Sequence, residues 1–211
     1  MRRAFTLSEL LIALTVVGVI AVLTVPSVIK NAHIRGYVST LQTTYRQISE
    51  ALNDAMLSQK IYTVEDFDFP LKDEDETQSH AFMRLYLDIQ KDCGRSSAGC
   101  FAQVYKDIDS GRSRSDMLNY GDFVVLRNGV ALGINDDFSK YIFIDVNNVD
   151  PPNVLGRDFF LLNVTDKGEL STKDVYKMDT LQEMASDCST FDGYFFTCFD
   201  YLQQNNWKMD Y

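Results

Sequence analysis

The chain has 211 residues, with 30 Asp and Glu against 20 Lys and Arg, a formal charge of -10 and 45% hydrophobic side chains. That acidity excludes a bulk nucleic-acid binder, which needs a clustered basic face to neutralise phosphates, while the length allows one ordinary core together with a membrane segment. Two histidines, with no HExxH, no phosphate-cradling glycine loop and no nucleophile motif, point away from an enzyme.

The first element is an apolar helix. Leu10 to Val28 contains no charged side chain, and the wider run from Phe5 to Ile29 contains only Glu9. At about 1.5 Å per residue this run reaches roughly 37 Å, enough to cross a hydrocarbon core of about 30 Å. Arg2 and Arg3 precede it, so the positive-inside tendency keeps the N-terminus cytoplasmic and places everything after Lys30 outside. The run is too long for the apolar region of a cleaved secretory signal, and Val25-Pro26-Ser27 matches its cleavage site poorly. Arg2-Arg3-Ala4-Phe5 also resembles a twin-arginine export pattern, which would remove the whole apolar segment. Neither export reading accounts for Glu9. A carboxylate inside a bilayer costs about 2.5 to 3.5 kcal/mol on insertion scales, so Glu9 needs a partner or a place at headgroup depth. Pro26 has no amide hydrogen and its ring opposes the Val22 carbonyl, which kinks or locally opens a helix; Gly18 adds backbone freedom before it.

Beyond Lys30, apolar residues recur at Ile34, Val38, Leu41, Tyr45, Ile48, Leu52 and Ala55 in alternating steps of four and three. This is an amphipathic continuation of the same helix, to about Gln59. Glu65 to Glu76 is dominated by acids and reads as a solvated loop with no chemistry of its own. A short helix is expected around Ala81 to Gln90. Phe123 to Leu126 and Val130 to Ile134, joined through Asn128-Gly129, read as a hairpin, with further strands at Tyr141 to Val146 and Asp158 to Val164. Four strands behind one long helix make an α+β domain with an antiparallel sheet. The four cysteines all fall in the exported part. Cys93 with Cys100 and Cys188 with Cys198 is the favoured pairing in an oxidising compartment, although four cysteines permit three connectivities. A zinc site is disfavoured, since the spacings lack CxxC and neither His33 nor His80 has metal-ligand spacing.

Ala4-Phe5-Thr6-Leu7-Ser8-Glu9-Leu10-Leu11 resembles the prepilin peptidase and N-methylation motif of type IV pilins and type II secretion pseudopilins. Ala4 stands where the family usually has glycine, and Ser8 where it has an aliphatic residue. The resemblance implies a leader of residues 1–4, cleavage between Ala4 and Phe5 by a prepilin peptidase, and methylation of the new Phe5 amino group. It further implies that Glu9 of one subunit pairs with the Phe5 ammonium of its neighbour, and that Gly18 and Pro26 lie where assembled pilin helices loosen. A weaker likeness runs from Asp145-Val146-Asn147-Asn148 through Gly156-Arg157-Asp158-Phe159-Phe160 to Gly168, and again at Asn206-Trp207-Lys208-Met209-Asp210-Tyr211.

The expected organisation is therefore a leader at 1–4, a transmembrane and assembly helix at 5–29, the amphipathic half of that helix at 30–60, and an extracytoplasmic pilin-like domain at 61–211. The partners implied are the prepilin peptidase and N-methyltransferase, the bacterial inner membrane and other pilin or pseudopilin subunits. No cofactor is expected. Asp145, Asn147, Asp150 and Asp158 carry oxygens of the kind calcium takes, as acidic loops do in some pseudopilins, but their spacing does not match an EF-hand and turn formation is preferred. The rival expectation is a membrane-anchored binding domain that never polymerises.

Overall fold

The computed structural model describes residues 6–108, 111–115, 118, 120–135, 141–172, 177–189 and 195–211. Helix α1, Leu7–Gln59, is the longest element, and the chain divides into two compact units between Gly36 and Tyr37, inside it. In the first unit the apolar side chains from Leu7 to Ile29 are exposed, and the helix is long and apolar enough to cross a membrane. The helical pattern continues through Pro26, so the chain does not break where the proline removes a hydrogen bond. Thr15, Thr24 and Ser27 turn their hydroxyls back onto helix carbonyls, which satisfies these side chains without water.

In the second unit, α1 buries Val38, Leu41, Thr44, Ile48, Ala51, Leu52 and Ala55. This is the expected stripe, widened by Thr44 and Ala51. It shares one core with an antiparallel sheet, from which Asn128 Nδ2 donates a bond to Thr44 Oγ1 at 3.4 Å. The sheet has five strands rather than about four: β1 (Ile89–Gly94), β4 (Asp122–Leu126), β5 (Ala131–Ile134), β6 (Ile142–Asp145) and β7 (Phe159–Leu162), in the order β1-β4-β5-β6-β7. Strands β2 (Tyr105–Lys106) and β3 (Ser113–Arg114) form a separate ribbon. The hairpin turns at Asn128-Gly129, with Gly129 at φ 88° and its N–H donated to Leu126 O at 2.9 Å. Gly133 faces Phe123 on one side and Phe143 on the other, and a Cβ there would lie 2.8 Å from the Phe123 ring. The missing side chain is what lets two large rings share that face.

The helix expected at Ala81 to Gln90 instead occupies Gln78–Tyr86, here α2. Thr77 sets its start by accepting the His80 N–H on its hydroxyl at 3.0 Å. Its end comes early because Ile89 onward is drawn into the sheet beside β4. Two more helices, α3 (Leu181–Ser189) and α4 (Cys198–Gln204), pack on each other near the C-terminus. Tyr45 of α1 meets Phe199 at 5.3 Å and Trp207 at 5.9 Å between ring centroids, so the C-terminal tail closes over the packed part of α1.

Candidate functional site

The N-terminal end of α1 is held by reciprocal hydrogen bonds. Thr6 N and Thr6 Oγ1 each donate to Glu9 Oε2 at 2.8 Å, and Glu9 N donates back to Thr6 Oγ1 at 3.3 Å. This is a capping box, in which a T-x-x-E spacing satisfies donors that the first helical turn leaves orphaned. The family resemblance assigns Glu9 to an intermolecular partner and passes over this local one, although Thr6-Leu7-Ser8-Glu9 spells the signal. The same box recurs in the second unit, where Thr180 N and Oγ1 donate to Glu183 Oε2 at 3.1 and 2.9 Å at the start of α3. The two boxes open helices of different kinds. Glu183 heads a short helix of the second unit, whereas Glu9 heads an apolar run that needs lipid or protein around it. Glu9 Oε1 accepts no hydrogen bond from the described residues, so one carboxylate oxygen remains for a further donor. Ala4 and Phe5, the two expected processing positions, lie outside the described residues.

The four cysteines form two bridges, Cys93–Cys100 and Cys188–Cys198, with Cα separations of 6.3 and 5.3 Å. The first fastens β1 to the turn beyond it, and the second ties the C-terminal half of α3 to the first residue of α4. Cys198 packs on Gly156, where a Cβ would lie 2.7 Å from its sulfur, and Gly156 also has φ 74°. Its carbonyl accepts the Tyr211 hydroxyl, so one glycine receives both the C-terminal bridge and the last residue of the chain.

The suggested calcium residues run from the last residue of β6 through its connection to β7, and the carboxylates of Asp145 and Asp158 serve the chain itself. Asp145 is buried at the end of β6, takes the Tyr105 hydroxyl on Oδ2 at 2.6 Å and takes Asn147 N–H on Oδ1 at 3.1 Å. Burial pushes its carboxyl up to about 8, with the Tyr105 bond acting against the rise and the Asp158 charge adding to it. Asp158, also buried, receives the N–H groups of Asn153 and Val154 at 2.7 and 2.6 Å; burial raises it too, against those bonds. Asp150 is exposed, and it is its carbonyl that accepts Asn147 Nδ2, at 2.5 Å. The Oδ1 atoms of Asn147, Asn148 and Asn153 are buried without a hydrogen-bond partner. Among the described residues no group of three or more His, Cys, Asp or Glu side chains is placed to hold a metal ion. Calcium takes six to eight oxygens, and the two buried carboxylates here are already engaged by protein donors.

Of the acids between Glu65 and Glu76, those up to Asp75 are exposed, as expected of a solvated loop. Glu76 departs from the pattern. Its side chain is 4% exposed and receives Arg84 Nε at 2.7 Å and Arg84 Nη2 at 3.0 Å. The Arg84 guanidinium holds its carboxyl down to about 2, against the opposing effect of burial. His80 lies between Glu76 and Asp92, a cluster that no local spacing announces because Asp92 arrives on β1.

No family model, curated protein or solved structure matches the chain.

Proposed function

We propose that this chain is a structural subunit of a type IV pilus, type II secretion pseudopilus or competence-type filament. In this reading a prepilin peptidase cuts it after Ala4, and it polymerises through the N-terminal part of α1. The observation that carries the proposal is the juxtaposition at the start of α1: a carboxylate with one oxygen uncommitted, heading a membrane-length stretch of exposed apolar side chains. Each such side chain gains about 1.5 to 3 kcal/mol on leaving water. Lipid covers the stretch before assembly, and neighbouring copies cover it afterwards.

The N-terminus lies on the cytoplasmic side of the inner membrane, where Arg2 and Arg3 keep it, and the disulfide-bearing domain lies outside. After cleavage the Phe5 amino group is a cation and methylation preserves that charge. It reaches the spare oxygen of Glu9 on the next subunit. Such a contact is heterologous and does not close, so repetition gives a helical filament. Neither catalysis nor nucleic-acid binding by the exported domain belongs to this function, and calcium has no assigned role in it.

Intact-mass measurement of the protein extracted from native membranes tests the proposal. The expected species lacks residues 1–4 and carries one methyl group on Phe5. Retention of Met1 supports a membrane anchor that never polymerises, and a start beyond Ile29 supports export as a soluble domain.

A further inference from the structure

Both ring nitrogens of His80 are occupied by carboxylates. Nδ1 lies 2.8 Å from Glu76 Oε1, and Nε2 lies 2.9 Å from Asp92 Oδ2. A neutral imidazole has one N–H to give, and an ionised carboxylate has none. Two hydrogen bonds of this kind therefore require the imidazolium; in the neutral ring, one nitrogen lone pair would face a carboxylate oxygen.

The three groups come from three pieces of chain. Glu76 precedes α2, His80 lies in its first turn, and Asp92 lies on β1, the strand at one end of the five-stranded sheet. Glu76 is fixed independently of the histidine, by Arg84 and by the Lys72 N–H at 2.5 Å. Asp92 is fixed by the Gly94 N–H at 2.8 Å. The imidazole bonds to both anchored acids and so joins them. We propose that His80 is a proton-operated clamp that fastens α2 to the edge strand β1 and releases it when the ring loses its proton. This inference is independent of the filament reading.

The charged surroundings favour the clamped form. From β4, Asp122 adds a negative charge near the ring while accepting the Thr77 hydroxyl. Lys72, Asp73 and Asp75 before α2 and Arg95 after β1 line the same surface cavity of about 280 Å³, open to the protons that must come and go. Burial disfavours the charged ring, but the bonds to Glu76 and Asp92 and the fields of Asp92 and Asp122 outweigh it, leaving His80 raised above its ordinary value. A group raised in the closed state holds that state at low pH and loses its hold as pH climbs through the raised value. Between the open-state and closed-state values the closing equilibrium weakens about tenfold for each pH unit.

The test uses the full chain in detergent micelles, where only His33 and His80 give imidazole signals. Nitrogen-15 histidine spectra across pH 5 to 9 report the ring, and amide hydrogen exchange corrected for intrinsic rate reports α2 and β1. The expected result is a His80 midpoint above the ordinary value of about 6.5, with protection in residues 78–94 falling at that midpoint while β5 and β6 stay protected. Asp92→Asn should lower the midpoint, and His80→Gln should remove the pH dependence of protection in α2. A His80 midpoint at or below about 6.5 overturns the clamp, as does protection in α2 and β1 that does not change at the midpoint. Both readouts come from the wild-type protein, so the decision does not depend on either variant folding.

Discussion

The two halves of α1 are one helix by backbone and two different objects by side chain. Up to Ile29 its apolar residues point in every direction and stay exposed; from Tyr37 to Ala55 they fall on one stripe that is buried or partly buried in the core shared with the sheet, and Leu57 beyond it is exposed. The first half derives nothing from the fold of its own chain, so its surroundings must supply its stability. The second is a core element of the ordinary kind, held in place by the burial of one face. Function is expected in the first half and folding stability in the second, and substitutions in the two should separate accordingly.

The largest expected effect is on assembly. If the chain assembles as proposed, Glu9→Leu, which removes both the capping carboxylate and the charge, should nearly abolish incorporation into filaments while leaving cleavage and the packed unit unchanged. Glu9→Gln divides the two roles, because glutamine still completes a capping box with Thr6 but carries no charge. If charge pairing drives assembly, both variants are processed normally and absent from sheared filaments. If the Glu9→Gln protein is incorporated at the wild-type level and the Glu9→Leu protein is not, the helix cap is the whole role of Glu9. Wild-type incorporation of both sinks the assembly role altogether.

Next in size is a pair of leucines. Leu52, fully buried, and Leu14, 69% exposed, lie in the two halves of the same helix. Leu52→Ala should cost about 2 to 5 kcal/mol of folding stability, and Leu14→Ala less than about 0.5 kcal/mol in detergent. The single tryptophan, Trp207, packs near Tyr45 and Phe199 and gives a fluorescence readout of the packed half. Equal losses from the two substitutions would show that the two halves of the helix do not differ in this way.

Both halves of α1 were legible in the sequence because each obeys a pattern carried by consecutive residues: continuous apolarity in one, a four-and-three repeat in the other. The β4–β5 hairpin was legible for the same reason, through Asn128-Gly129 between two apolar runs. Strand β1 was not. Its sequence Ile-Gln-Lys-Asp-Cys-Gly is mostly polar, none of its residues is fully buried, and its pairing with β4 shifts register twice. Nothing local distinguishes such an edge strand from a loop. The capping boxes at Thr6 and Thr180 did have a local signal, and at Glu9 a more specific interpretation obscured it. The buried Tyr105–Asp145 pair spans 40 residues of sequence and exists only once β6 is in place.

The disulfides extend the contrast to the rest of the packed unit, where covalent closure adds to burial. Bridges spanning separations of 7 and 10 residues should each contribute about 2 to 4 kcal/mol by restricting the unfolded chain. Replacing Cys188 and Cys198 together by serine should lower the thermal midpoint of the packed unit and loosen the C-terminal tail, since Cys198 bears on Gly156 and Gly156 holds Tyr211. Membrane insertion of the first half should be unaffected. An unchanged midpoint in non-reducing conditions would remove the bridge from the account of stability.

The smallest effect for a single step of the variable is a slope with pH, and it lies where the packed half of α1 begins. The Tyr37 hydroxyl is raised by its own burial and then by the charges of Asp158, Asp145 and Asp150, which places this residue within the field of the β6–β7 connection. Asp145 is the group in that connection pushed to about 8 from an ordinary value near 3.8. Between those two values the folded chain holds a proton that the unfolded chain has released. The contribution of this group to stability therefore falls as pH rises across this interval, by at most about 1.4 kcal/mol per pH unit, and levels off above it. Asp145→Asn keeps an oxygen for the Asn147 N–H and removes the ionisation. The Tyr105 hydroxyl can rotate to accept from the new amide. The variant should therefore decline less steeply than the wild type from pH 5 to 8, keeping only the slope that the raised Asp158 and His80 supply. The His80 clamp leaves a residual slope in both proteins, so the informative quantity is the difference between them. Parallel declines would mean that Asp145 is ionised in the folded protein, with the Tyr105 and Asn147 bonds outweighing its burial.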